Sequence, residues 1–508
     1  MARRHGDDIT VHVDWLARRL TQQQEDAAAT EQQRAMVSSH RVGRVPAHLR
    51  LARRDAYTPG LVAIGPLHAG DSERRLRPGH RLKLAYLHSL VSRGHPDPAR
   101  HGEVIQEYVR LVAAREREAR AMYAAEDVEE LGPEELVQML VLDGCFVIEH
   151  LVNVAVGREE PSLHATPFGA TQLSVDLVLA ENQMPFFVLL DLIKKTELPV
   201  PEFAAYDKPT LLMKLALYHL AGEKGRDMSG ALPIGADGVS HILHLLHATV
   251  TAARTRWLPP PPGVQDVVGT AQEAARLLRR LPLLLLVPLL YPILPEERRW
   301  SASYGREDLP SATDLKRMWV RFKRARGKSS SSAAGNSNGI ASVLGPVPLA
   351  VALEHEDCLR LPRLRVEFRT APLLLNLMAF EQQSEQPAGD VSAYAWLMAK
   401  LVQSPEDAGV LVAAEVVQGS AAGSEGKDDV ARLFREVGAA SEAAEQMERS
   451  YLGETLAKLR ERSRHPLFMM WADVQRNYFT VPWAVVAEFV AFVTFISTIL
   501  QTYGSFKH

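Results

Sequence analysis

Residues 481–503 read VPWAVVAEFVAFVTFISTILQTY, 23 residues with one charge, Glu488. An apolar helix of roughly 20 residues can cross the ~30 Å hydrocarbon core of a bilayer. A chain carrying such a stretch must give it lipid or bury it. The sequence therefore predicts a transmembrane helix over 481–503, a short tail over 504–508, and a large body ahead of both. Arg460, Arg462, Arg464 and Arg476 precede the stretch, and Lys507 follows it. By the positive-inside tendency the body is expected in the cytosol. The first twenty residues lack an apolar core of the secretory type, so insertion is expected to depend on the C-terminal stretch.

The body is not itself a set of membrane spans. Hydrophobic residues make up 46% of the chain, an ordinary share for a globular fold. A net charge of −3 argues against a general nucleic-acid binder. Two cysteines, Cys145 and Cys358, each sit among apolar neighbours. They are read as buried thiols rather than a disulfide or zinc framework.

Along the chain, residues 1–41 contain an amphipathic helical pattern. Pro and Gly at short intervals predict extended segments and turns over 42–79. Two stretches have too few polar residues for a surface helix, Glu135–Leu151 and Gln172–Lys194. Pro185 lies inside the second and predicts a kink there. The amides of Asn182 and Gln183 are expected to satisfy backbone groups freed by that kink. Residues 258–263, LPPPPG, form a stiff break, and 281–295 form a proline-broken apolar segment. Residues 327–339, GKSSSSAAGNSNG, read as a flexible insert, and 419–427 as a loop. Between them LRLPRLRVEF alternates with period two and predicts a strand. Helices return over 392–415 and 428–462.

Chemistry is harder to find. His241, His244 and His247 fall near one helical face and are the candidate metal ligands. No acid or cysteine is interleaved, and the plainer reading is a half-buried helix with histidines along its polar margin. Neither a phosphate-binding glycine loop nor a nucleophile elbow occurs. Lys316–Lys328 mixes cations with Trp319 and Phe322, a pattern able to meet an anionic surface or to be a solvated helix face. No catalytic residue, cofactor site or small-molecule substrate is assigned.

Several segments together resemble one plant family, the domain of unknown function 247, also called UPF0481. They are RVPAHLR with AYTPGLVAIGPLH, MLVLDGCFVIEHL, DLVLAENQMPFFVLLDL, SATDLKRMWVRFK, LLLNLMAFEQQ and the closing PW…LQTYGSF. Their order is the family's, and they run from about Arg44 to Phe506. MWVRF departs from the family's usual continuation of its fourth block. The resemblance implies a mainly helical body over 42–480 with a few short strands, plus one C-terminal membrane anchor. It implies no catalytic residues, and some similar grass proteins act in self-incompatibility.

The combined expectation is a non-enzymatic protein held in a membrane, the plasma membrane first among them. It would contact lipid through its last helix and an unknown protein partner through its body. Surface loops, including 327–339 and 419–427, would carry partner choice. Two alternatives stand beside it. One is a hydrolase or other enzyme, in which several of Asp143, His150, Asp176, Glu181 and Glu381 would converge in a pocket. The other is a soluble protein with 481–503 as a buried core helix, which Glu488 favours because charge in mid-bilayer is expensive.

Overall fold

The structure is a computed structural model. It describes residues 41–70, 76–158, 169–198, 206–222, 234–255, 309–325, 340–344, 348–354, 357–384, 389–419, 423–440, 449–478, 494–495 and 497–498. The expected helix within 1–41, the break at 258–263, the apolar segment 281–295 and the insert 327–339 lie outside these residues. So does most of the expected span over 481–503. The mainly helical class holds, and the strands are short. A C-terminal transmembrane helix is not among the elements seen.

Two compact units divide the chain. The first takes the described residues among 1–249, 336–340 and 375–388, and the second takes the rest. In the first unit the helices are α1 (Ala47–Ala52), α2 (Arg77–Gly94), α3 (His101–Ala113), α4 (Glu116–Ala121), α5 (Ala125–Val128) and α6 (Pro133–Val156). They are followed by α7 (Gly169–Asp176), α8 (Phe186–Lys195), α9 (Lys208–Ala221) and the start of α10 (Ile242–Thr255).

Helix α6 is the axis of this unit. Proline at its first position needs no backbone partner, and the Glu135 carboxylate accepts the Gly132 amide at 3.0 Å. At its far end Gly157 adopts φ +67°, and the Arg158 amide reaches back to the Asn153 carbonyl at 2.9 Å. Between those caps Leu136, Leu140, Phe146, Ile148 and Leu151 are fully buried, as the paucity of polar residues in this stretch predicts. Helices α2, α3, α8 and α9 all pack on it. Among the described residues it is the one helix long and apolar enough to cross a bilayer, yet two-thirds of its apolar window is covered by neighbours. Helices apolar all round are spans or cores. Here buried ion pairs to Lys83 and Arg93 mark a core.

Close approach of α6 and α8 depends on Gly144. A Cβ at that position would stand 2.4 Å from Leu192 Cδ1 and 3.4 Å from Met184 Cε. Gly144→Ala is expected to destabilise the unit by about 1–3 kcal/mol through overpacking. Faster hydrogen exchange of α6 amides would report it, and unchanged exchange would show that Leu192 simply turns aside.

The second stretch predicted as one kinked helix is two helices. α7 ends at Asp176 and α8 begins at Phe186, with Pro185 as the residue before it. Proline disfavours helical backbone in the residue it follows, here Met184. Residues 177–184 cross the core as buried turns instead, and the Phe186 amide donates to the Ser240 carbonyl at 2.8 Å.

The second unit contains α11 (Ala312–Arg317), β1 (Arg321–Arg324), β2 (Ala352–Glu354), β3 (Cys358–Leu361) and β4 (Leu364–Arg365). The period-two reading of 359–368 is seen as β3 and β4, interrupted at Pro362. β1 pairs parallel with β3, Arg321 facing Cys358, and β2 pairs antiparallel with β3. Helix α12 (Thr370–Gln383) is shared, its residues from Leu375 belonging to the first unit. Then come α13 (Asp390–Leu401), α14 (Pro405–Ala413), β5 (Val417–Gln418), α15 (Ser424–Ala439), α16 (Gly453–Arg464) and α17 (Pro466–Tyr478). β5 pairs parallel with β4. Asp407 joins two helix starts, accepting from the Ser404 amide at 3.0 Å and from the Thr313 amide at 2.9 Å.

Candidate functional site

The densest polar constellation in the first unit surrounds the segment from Val42 to His68. Within it residues 58–65 form neither helix nor strand, so their amides and carbonyls need partners other than a ladder. Side chains from the helices supply them. Asp176 Oδ1 accepts the Gly60 amide at 2.9 Å, and Oδ2 accepts Leu61 and Val62 at 2.7 and 2.8 Å. Asn182 Oδ1 accepts the Ile64 amide at 2.6 Å, while its Nδ2 donates to the carbonyls of Val62 and Asp176. Asp143 Oδ2 accepts the Gly65 amide at 2.8 Å, and its other oxygen meets Lys83 Nζ.

Glu181 closes the group. Its Oε1 accepts the Val45 amide at 2.6 Å and the Arg50 guanidinium, and its Oε2 lies 3.2 Å from His68 Nε2. Asn376, from α12, donates to the Ala56 carbonyl and accepts the Ala180 amide, both at 2.7 Å. Gln183 Nε2 donates to the carbonyls of Leu177 and Leu179, and its Oε1 accepts the Leu243 amide. The expectation that Asn182 and Gln183 satisfy displaced backbone groups is therefore met, although at a break rather than a kink. Gly65, at φ +71°, is required where the segment turns, since a Cβ there would sit 2.5 Å from the Gln183 carbonyl oxygen.

Charge in this group is held by burial and pairing. Burial raises the Asp143 carboxyl, opposed by Lys83 and the Gly65 amide. Burial likewise raises Asp176, against the pull of four hydrogen-bond donors. For Glu181 burial also acts upward, but His68, Arg50 and the Val45 amide outweigh it and hold the carboxyl below its usual range.

Three of the five residues considered for a hydrolase, Asp143, Asp176 and Glu181, thus gather along one segment. Each accepts at least one main-chain amide, while the second oxygen of Asp143 meets Lys83 and that of Glu181 faces His68. The other two lie elsewhere. His150 stacks on Phe146 at 6.2 Å between ring centres and meets the edge of His219 at 5.0 Å. Glu381 Oε1 lies 2.9 Å from His247 Nε2.

The candidate metal ligands prove to be packed around one ring. His241, His244 and His247 all contact Phe380, with ring centres 5.5, 5.6 and 5.1 Å away. His241 and His244 are buried rather than at a polar margin. The His244 amide donates to His241 Nδ1, and the Ser240 amide donates to His244 Nδ1, both at 3.2 Å. An accepting Nδ1 leaves the proton on Nε2, so neither ring offers Nε2 as a metal ligand in this arrangement. Among the described residues no three His, Cys, Asp or Glu side chains form a metal-sized group.

The basic segment is also largely partnered. Arg317 and Arg476 share Asp314, Arg321 grips Asp357 with two bonds, and Arg324 approaches Glu415 at 3.8 Å. Its described part, residues 316–325, is the end of a short helix followed by a strand, not one solvated helix face. Arg50, His68, Lys83 and Asn376 escaped the sequence reading. Arg50, His68 and Asn376 lie inside family blocks, whereas nothing in RLKLAYL singles out Lys83.

A sequence profile of plant proteins of unknown function, DUF247, matches residues 42–497. The chain belongs to the DUF247 family. UPF0481 protein At3g47200 of Arabidopsis thaliana is 23% identical over 467 residues, covering 90% of this chain and 84% of that protein. No solved structure matches. In this DUF247 chain four of the family-like blocks meet in space. The VPAHLR and IGPLH segments lie on the Asp143 block and the Glu181–Gln183 block, and LLLNLMAFEQQ adds Asn376 and Gln383, whose Nε2 donates to the Gly43 and Arg44 carbonyls. The SATDLKR block belongs to the second unit, where Ser311 caps α11.

Proposed function

We propose that this chain is a non-catalytic recognition protein tethered to a membrane by residues 481–503. Its body would be an assembled helical scaffold facing the cytosol, with a protein partner still to be found. Recognition is also the setting in which some similar grass proteins act. The observation that carries the tether is Phe495. It is helical and 62% exposed, and its described neighbours Thr494, Ser497 and Thr498 are exposed as well. A phenylalanine packed as the alternative buried core helix requires would be covered. Lipid or another chain would cover such an exposed ring. Absence of catalysis is supported by the engagement of Asp143, Asp176 and Glu181 with backbone amides.

Carbonate extraction of membranes tests the tether. Full-length protein should stay with the membrane pellet, and a variant lacking 481–508 should move to the supernatant. Complete extraction of the full-length protein would end the proposal and favour a buried C-terminal helix.

A further inference from the structure

Helices α16 and α17 meet at a corner 16 residues ahead of the apolar stretch. A groove of about 410 Å³ opens there, lined by Arg460, Arg464 and His465, with Glu461 and Ala457 completing its wall. Beside it Leu467 is 41% exposed. Phe468 packs next to Leu467 under the Arg462 guanidinium, 4.4 Å from the ring centre, and against His465 at 5.0 Å. Trp319 supports the same corner, 6.0 Å from Phe468 and 5.4 Å from Trp471. It does so from φ +63°, a left-handed backbone region that persists for a tryptophan only where packing over-determines it.

The cations alone have a simple role. Arg462 and Arg464 complement the negative end of the α16 dipole. That role does not account for a leucine held in water beside them, nor for the half-exposed aromatic group behind it. Cations around a groove, next to a protruding apolar residue and an indole, are the composition of a surface that rests in a headgroup layer. Helix α17 has 13 residues, about 20 Å, so the corner lies within reach of a bilayer entered shortly after Tyr478.

We propose that this corner docks on anionic phospholipid, the groove taking a headgroup phosphate between Arg460 and Arg464 while Leu467 enters the interface. The inference rests on the membrane reading above, and its test separates the two. Full-length Leu467→Cys protein carries an environment-sensitive nitrobenzoxadiazole label, and Cys145 and Cys358 are buried and leave that site to react. Label emission should brighten and shift to the blue with phosphatidylserine-containing vesicles and stay aqueous with phosphatidylcholine alone. Arg460→Gln with Arg464→Gln should lower the ratio of docked to undocked label about 30-fold, at about 1 kcal/mol per cation near an anionic surface. Arg460→Lys with Arg464→Lys should retain docking, which excludes a folding defect of the corner. Inorganic phosphate without vesicles should leave the label aqueous, and a response to it would overturn the lipid assignment in favour of a free anion. An aqueous label on phosphatidylserine vesicles, with carbonate-resistant protein, overturns the docking and leaves the tether standing. A docked label on carbonate-extractable protein overturns the tether alone.

Discussion

Replacing Asp143 with alanine is expected to lower hydrogen-exchange protection of the α6 amides about a thousandfold. Asp143 and Lys83 are 1% and 5% exposed, so the pair is buried on both sides. Removing one partner of such a pair leaves an uncompensated charge and costs about 3–5 kcal/mol. The same change orphans the Gly65 amide, which adds about 1–3 kcal/mol. A thousandfold loss corresponds to about 4 kcal/mol, the lower part of that combined range. Hydrogen exchange is the right measurement because the chain has two units, and one bulk unfolding curve would mix them. Asp143→Leu combined with Lys83→Met tests the cause. That variant removes both charges and leaves only the Gly65 amide without its acceptor, so it should lose about 1–3 kcal/mol. If the double variant is as damaged as Asp143→Ala, packing rather than charge governs the site. If Asp143→Ala keeps full protection at Gly65, the segment from Val42 to His68 is held by other contacts.

The contrast between Asp143 and Lys83 also shows what a single sequence discloses. Asp143 stands out because a carboxylate inside ELVQMLVLDGCFVIEHL must find a partner. Its partner is 60 positions away in an unremarkable helical stretch, and nothing in periodicity links the two. Helix α6 was legible for the same reason its partner was not: a stretch without a polar face has few places to go, whereas a lysine has many. Pro185 was legible as a disturbance, but its form was not. A lone proline can kink a helix, yet here Asn182 and Gln183 wrap the freed carbonyls of Asp176, Leu177 and Leu179 into turns, and that outcome depends on the Val42–His68 segment lying opposite. The basic run from Lys316 read as a free cationic face because Asp357, Glu415 and Arg476, which determine its net field, are far along the chain. The histidines read as the polar margin of a half-buried helix, with metal ligation as the lesser candidate, because spacing shows only a shared face, whereas the amides that donate to His241 and His244 Nδ1 appear only with the helix start in place.

Acidification should destabilise the first unit below about pH 6.5, and His150 with His219 should be the cause. Both rings are buried, and among the described residues His150 Nδ1 and Nε2 and His219 Nε2 meet no hydrogen-bond partner. Burial drives the His150 imidazole well below its ordinary value of 6.5, with His219 adding to the shift, and burial drives His219 down to about 4. Folded-state values below the unfolded one mean that the unfolded chain binds more protons under pH 6.5, so stability falls as pH falls. The contribution is complete above pH 6.5 and declines until the folded rings themselves protonate, near pH 4 for His219. By pH 5 His219 loses about 2 kcal/mol, and His150 adds a loss in the same direction. Raised carboxyls at Asp143 and Asp176 act in the opposite sense, because a folded carboxyl above its unfolded value gains stability as pH drops. A matched variant removes that complication. His150→Phe with His219→Leu keeps an aromatic ring against Phe146, deletes the three unpartnered nitrogens and leaves the carboxyls in place. Exchange protection of α6 measured at pH 7 and pH 5, corrected for the intrinsic pH dependence of exchange, should then fall by at least about 2 kcal/mol less in the variant than in the parent. Equal losses in the two proteins would mean that water or a ring flip lets these imidazoles charge without opening the core.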